Sequence, residues 1–418
     1  MGTFLRQNLD TVALWVVVPV LGLVAVLAVA YLRNHWLEQR RLRPRGVRAR
    51  QDVIRGDLDR MAEYLDRLQE SDPAVWRPFE LGLAAMAACQ WDQAIGHFRK
   101  AQTKASGAQL VPLHIQTGVC RYIQGHPDDA LTEFKEATRL AKLYGDKQGE
   151  AAALGNIGVL RHDSGELGGA LRKLREALAI IRKYGEQRAA APYLANIGNI
   201  YRDRGESDKA LRFHEDALAI SREIGDKPGV ASSLGNIGSV RCDRDKLGEA
   251  LQYFEEALAV SRENHDRRGM ANSLGKIGNV HHYRGELDEA LMHYEGALAL
   301  EREIGYQLGV ATELGNIGLI LMDKELYAQA APTLAESLAM MLALGIARGP
   351  RQALYGLSRC DDRLGRERMP ELLKQAGLTD AGADDMLDRV DQTRLRRPRP
   401  TRIRRAPLVL RRLTAGAR

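Results

Sequence analysis

From residue 154 the chain repeats itself with a period of 40 residues. The copies are LGNIGVLRHDSGELGGALRKLREALAIIRKYG from 154, LANIGNIYRDRGESDKALRFHEDALAISREIG from 194, LGNIGSVRCDRDKLGEALQYFEEALAVSRENH from 234, LGKIGNVHHYRGELDEALMHYEGALALEREIG from 274 and LGNIGLILMDKELYAQAAPTLAESLAMMLALG from 314. An earlier unit, GVCRYIQGHPDDALTEFKEATRLAKLYG at 118–145, keeps the same internal spacing. A shorter one is visible in LGLAAMAACQWDQAIGHFRKAQTKA at 81–105, which makes about seven units. A fixed period of this length signals units that stack along one dimension rather than fold into separate domains.

Each unit reads as two antiparallel helices. In the 154 copy the first carries Leu154, Ile157 and Leu160. The second carries Leu167, Ala170, Leu171, Leu174, Ala177, Leu178 and Ile181, an apolar stripe at helical spacing. Gly165, Gly205 and Gly285 interrupt the pair at its turn, and Gly185, Gly225 and Gly305 stand where a second helix would end in a left-handed cap. Small residues recur at Gly158, Ala170 and Ala177 and their equivalents, which lets helix axes approach closely. A single pair cannot bury its apolar face alone, so the expected fold is an all-α solenoid.

These residues resemble the tetratricopeptide repeat. Counting Gly158 as its eighth position puts Leu154 at four, Ile157 at seven, Ala170 at twenty, Leu174 at twenty-four and Ala177 at twenty-seven. The wording is similar to the long-repeat branch of that family, which includes Pins-type adaptors and bacterial arrays. The resemblance covers residues 75–345 and implies a right-handed α-solenoid of about seven helix pairs. The last copy drifts, with Glu325 for the turn glycine and Ser337 for alanine, and residues 348–390 then read as capping helices.

In such arrays the first helices line a concave groove, and the sixth position points into it. The resemblance therefore implies a ladder of Asn156, Asn196, Asn236, Lys276 and Asn316, with Gln116 in the earlier unit. An amide carries both a donor and an acceptor, so it can bridge the N–H and C=O of an extended partner segment. Asn199 and Asn279 at the ninth position and Arg202 at the twelfth complete the expected partner-binding set. The aspartates at the thirteenth position (163, 203, 243 and 323) would favour a basic segment. The competing reading is that these side chains serve the helix contacts of the fold.

Outside the array, residues 11–32 form an uncharged apolar run of about 33 Å as a helix, enough for a hydrocarbon core of roughly 30 Å. It reads as a transmembrane anchor after a ten-residue extracytoplasmic N-terminus. A signal peptide cleaved near Ala28-Val29-Ala30 is the rival reading, and it would imply a periplasmic assembly factor. Residues 33–50 hold seven arginines against Glu38, so the positive-inside rule places the bulk of the protein in the cytoplasm. Residues 33–70 read as a basic juxtamembrane segment and linker helix.

The formal charge of +7 is uneven: residues 33–50 carry +6 and 391–418 carry +9, which leaves −8 for 51–390. Residues 391–418, with ten arginines and three prolines, read as a disordered tail. Both arginine-rich ends suit anionic lipid. A nucleic-acid-linked regulator is the alternative, disfavoured because no aromatic residue is present in the tail to stack bases.

The four cysteines form no CxxC pair, which excludes a disulfide framework. No phosphate-binding glycine loop, HExxH or GxSxG is present. The expected function is thus a non-catalytic, membrane-tethered scaffold or adaptor that holds a protein or peptide segment and uses no cofactor or metal.

Overall fold

The computed structural model describes residues 73–87, 90–184, 187–344 and 350–395. Among them are seventeen α-helices and no strand. Fourteen form seven consecutive pairs. These are α1 (Pro73–Ala87) with α2 (Trp91–Gln102), α3 (Leu110–Ile123) with α4 (Pro127–Tyr144), α5 (Lys147–Asp163) with α6 (Leu167–Lys183) and α7 (Ala191–Asp203) with α8 (Ser207–Glu223). Then come α9 (Lys227–Asp243) with α10 (Leu247–Glu263), α11 (Arg267–Arg284) with α12 (Leu287–Ile304) and α13 (Gln307–Asp323) with α14 (Tyr327–Ala343). Three further helices follow: α15 (Pro350–Leu364), α16 (Met369–Gln375) and α17 (Asp380–Leu395). The last runs five residues into the segment expected to be a tail.

One contact recurs in every pair. The glycine at the eighth position faces the side chain at the twenty-fourth, so close that a Cβ would stand 2.4–2.8 Å from it: Gly82 on Phe98, Gly118 on Phe134, Gly158 on Leu174, Gly198 on His214, Gly238 on Phe254, Gly278 on Tyr294 and Gly318 on Leu334. Any larger residue would push the two helices apart. The interior side chain fills the space left by the glycine, and burying one Leu or Phe there contributes roughly 1.5–3 kcal/mol.

Gly225 and Gly305 end second helices in the expected left-handed conformation, while Gly185 lies outside the described residues. In six of the pairs the turn holds a left-handed residue, supplied by Gly125, Gly165, Gly205 and Gly285, while Asp245 and Glu325 adopt the same conformation at φ 61° and 63°. Between pairs, Asp146, Asp226 and Asp266 each accept a hydrogen bond from the backbone N–H three residues on and start the next helix. After α14, helices α15 and α17 close the stack with Leu357, Cys360, Met386 and Val390 in the core.

The expectation of a single-pass membrane protein with a cytoplasmic body is corrected. No helix among the described residues is long and apolar enough to cross a membrane. The longest have 18 residues and carry charged faces. Residues 11–32, with the flanking 1–10 and 33–70, lie outside the described residues, as do 396–418.

Candidate functional site

From α3 to α11 the first helices of successive pairs touch one another, whereas the second helices make no comparable contact. The first helices therefore sit on the inner side of the stack. Their sixth, ninth, twelfth and thirteenth positions form the surface on which the candidate residues were placed.

Polar groups on this face are used first to join neighbouring units. The twelfth position of one unit bonds the aspartate at the thirteenth position of the next. Tyr122 Oη donates to Asp163. His162 Nε2 lies 3.0 Å from Asp203 Oδ2, Arg202 Nε 3.6 Å from Asp243 Oδ2 and His282 Nε2 2.7 Å from Asp323 Oδ2. The series skips one joint, where Cys242 and Tyr283 occupy the two positions. The aspartates expected to draw a basic partner segment are thus spent within the array, and Arg202 is held with them.

The amide ladder divides in the same way. Asn316 Nδ2 donates to Glu313 Oε2 at 3.0 Å, and Asn279 Oδ1 accepts from Tyr294 Oη at 3.0 Å. Lys276 is buried, with its ammonium packed over Gly235 and 5.8 Å from the Phe254 ring centroid. Asn156 is buried and takes part in contacts of its own. Gln116 is buried with neither amide atom hydrogen-bonded. Asn196 and Asn199, partly exposed on α7, and Asn236, buried on α9, make no side-chain hydrogen bond within the described residues. Besides the buried Gln116, these three of the candidate residues have amides without a hydrogen bond, and they lie at the middle of the array.

Of the buried ionisable groups other than cysteine that the sequence does not single out, two have strongly shifted proton affinities. His214 is fully buried at the twenty-fourth position and neither ring nitrogen is hydrogen-bonded. Burial, reinforced by the positive charges of Arg202 and Lys276, pushes its pKa down to about 3. Its signal was a single polar residue in the series Phe134, Leu174, His214, Phe254, Tyr294, Leu334. Glu301 takes the place that Ser221 and Ser261 hold in the preceding units, against Gly309 at the start of α13. Burial raises its pKa to about 7, with Arg268 acting in the opposite direction.

Burial pushes the thiols of Cys120 and Cys360 up to about 12, so they stay protonated and unreactive. Among the described residues no cluster of three or more His, Cys, Asp or Glu side chains could hold a metal ion.

The sequence model of the family described as Tetratricopeptide repeat matches residues 187–263, 229–303 and 269–343. That of Anaphase-promoting complex subunit 5 matches residues 56–163. The protein matches none of the curated proteins with which it was compared. Among solved structures, a Rap protein complexed with Competence and Sporulation Factor aligns with a TM-score of 0.55 and 16% identity, over 88% of this chain and 99% of that one. The Rap conjugation gene regulator of the plasmid pLS20, in complex with the Phr* peptide, aligns with a TM-score of 0.50 and 18% identity, over 68% of this chain and 76% of that one.

Proposed function

Because the repeat array belongs to the tetratricopeptide-repeat family, we propose that the protein is a non-catalytic protein-binding scaffold. It captures a segment of a partner protein along the inner face of its first helices. The observation that carries this reading is the trio Asn196, Asn199 and Asn236, whose amides stay uncommitted while the charged groups around them are paired. The partly exposed Asn196 and Asn199 can each accept from a peptide N–H and donate to a peptide C=O, so the segment is held by its backbone. Support also comes from the aligned Rap structures, which carry Competence and Sporulation Factor and the Phr* peptide.

The test is affinity capture with the full-length protein, wild type beside an Asn196→Ala, Asn199→Ala, Asn236→Ala variant, followed by mass spectrometry and a melting curve of each. A partner captured only by the wild type, with melting unchanged, supports the groove. Equal capture by two folded proteins removes the site from these amides. A variant that no longer folds shows that the asparagines serve the helix contacts instead.

A further inference from the structure

The outer face carries a feature that the groove does not explain. The second helices differ sharply in charge. The helix α6 holds Arg172, Lys173, Arg175, Arg182 and Lys183 against Glu176, a net +4. By the same count α4 and α8 each carry −1, α10 carries −3 and α12 carries −4. On α6 the surface dips into an open depression of about 540 Å³ lined by Gly168, Leu171, Arg172, Arg175, Ala179 and, from the end of α7, Arg204. The one acid at its edge, Glu176, is taken by Lys173 at 2.7 Å. Arg172 and Arg175 have no carboxylate partner among the described residues. Arg175 is instead aimed by the Tyr201 hydroxyl, to which its Nη2 donates at 2.6 Å, and Tyr201 is itself stacked on Phe213 at 5.4 Å. Arg204 approaches Glu206 only to 3.8 Å.

We propose that this depression is a docking site for a short acidic segment of a partner protein, with an apolar side chain seated on Leu171 and Ala179 and carboxylates on Arg172, Arg175 and Arg204. Guanidinium groups bind carboxylates bidentately, and two of these three are unneutralised. The occupant is short because the positive charge is confined to one unit. A nucleic acid or a membrane surface would extend along the array and meet the net-negative α10 and α12, whereas a segment of a few residues would not. The site is separate from the inner-face amides, so either can fail without the other. At Gly168 a Cβ would meet open space, so the depression can be filled there without altering charge.

Fluorescence anisotropy of the full-length protein with a labelled (Glu-Leu-Glu)4 peptide tests the proposal. A (Lys-Leu-Lys)4 peptide, a single-stranded DNA 20-mer and phosphatidylserine vesicles serve as comparison probes. The acidic peptide is expected to bind the wild type and to weaken at least tenfold in Arg172→Glu/Arg175→Glu and also in Gly168→Leu. Melting by circular dichroism is expected to be unchanged. If the double variant does not fold, Gly168→Leu decides alone. Equal binding by wild type and variants places the peptide on another basic surface and overturns the proposal. So does an absence of binding at millimolar peptide. Binding of the DNA or the vesicles that is lost in the same variants overturns it in favour of a polyanion.

Discussion

Replacing His214 by leucine changes the pH dependence of stability in a way that only an unpaired buried imidazole explains. The side chain is fully enclosed, faces Gly198 and has both ring nitrogens unsatisfied. Its pKa falls from the ordinary 6.5 to about 3. Between those values the unfolded protein binds a proton that the folded protein refuses, so stability drops as pH falls from 6.5 toward 3. The full shift corresponds to about 5 kcal/mol, and at pH 5 about 2 kcal/mol has been lost. Leucine occupies the equivalent place at 174 and 334 against the same glycine. His214→Leu should therefore fit. It should also raise stability by about 1–3 kcal/mol at pH 8 by removing unsatisfied polar atoms. Urea unfolding at pH 8, 6.5 and 5 measures both effects. The gap between variant and wild type should widen by about 2 kcal/mol between pH 8 and pH 5. A constant gap would refute the reasoning, because the histidine would then be hydrated or hydrogen-bonded.

Glu301 has the opposite sign. Its carboxyl is raised from 4.5 to about 7, so its contribution is full below pH 4.5 and is lost as pH rises toward 7. Glu301→Gln should flatten that decline in the same urea series, and an unchanged slope would place the carboxylate in water. Gly238→Ala puts a methyl 2.6 Å from Phe254 Cε1 and should lower stability by about 1–3 kcal/mol in thermal or urea melts, despite the higher helix propensity of alanine. Glu325 holds a left-handed conformation at φ 63°, so Glu325→Gly should gain up to about 1 kcal/mol, and a loss would show that its side chain makes a needed contact.

Much of the architecture is local and was readable from the amino-acid sequence. The 40-residue period, the turn glycines and the apolar stripe of the second helices announce seven pairs, because helix periodicity and left-handed turns are set by residues close in sequence. The glycines at 158, 198, 238, 278 and 318 marked where helices meet, although the ring or leucine filling each space appeared only in three dimensions. What the tertiary structure decided is which polar groups remain available. Asp203 and Asp243 look like free carboxylates in the sequence, yet each is satisfied by a residue 41 positions earlier on the neighbouring helix. Asn279 and Asn316 look equivalent to Asn199 and Asn236, but their neighbours Tyr294 and Glu313 bond them and leave the other two uncommitted. Hydrogen-bond capacity is settled by what lies within about 3 Å: for Asp203, Asp243 and Asn279 that partner comes from another helix, and for Asn316 from Glu313, a residue of its own helix that departs from the repeat.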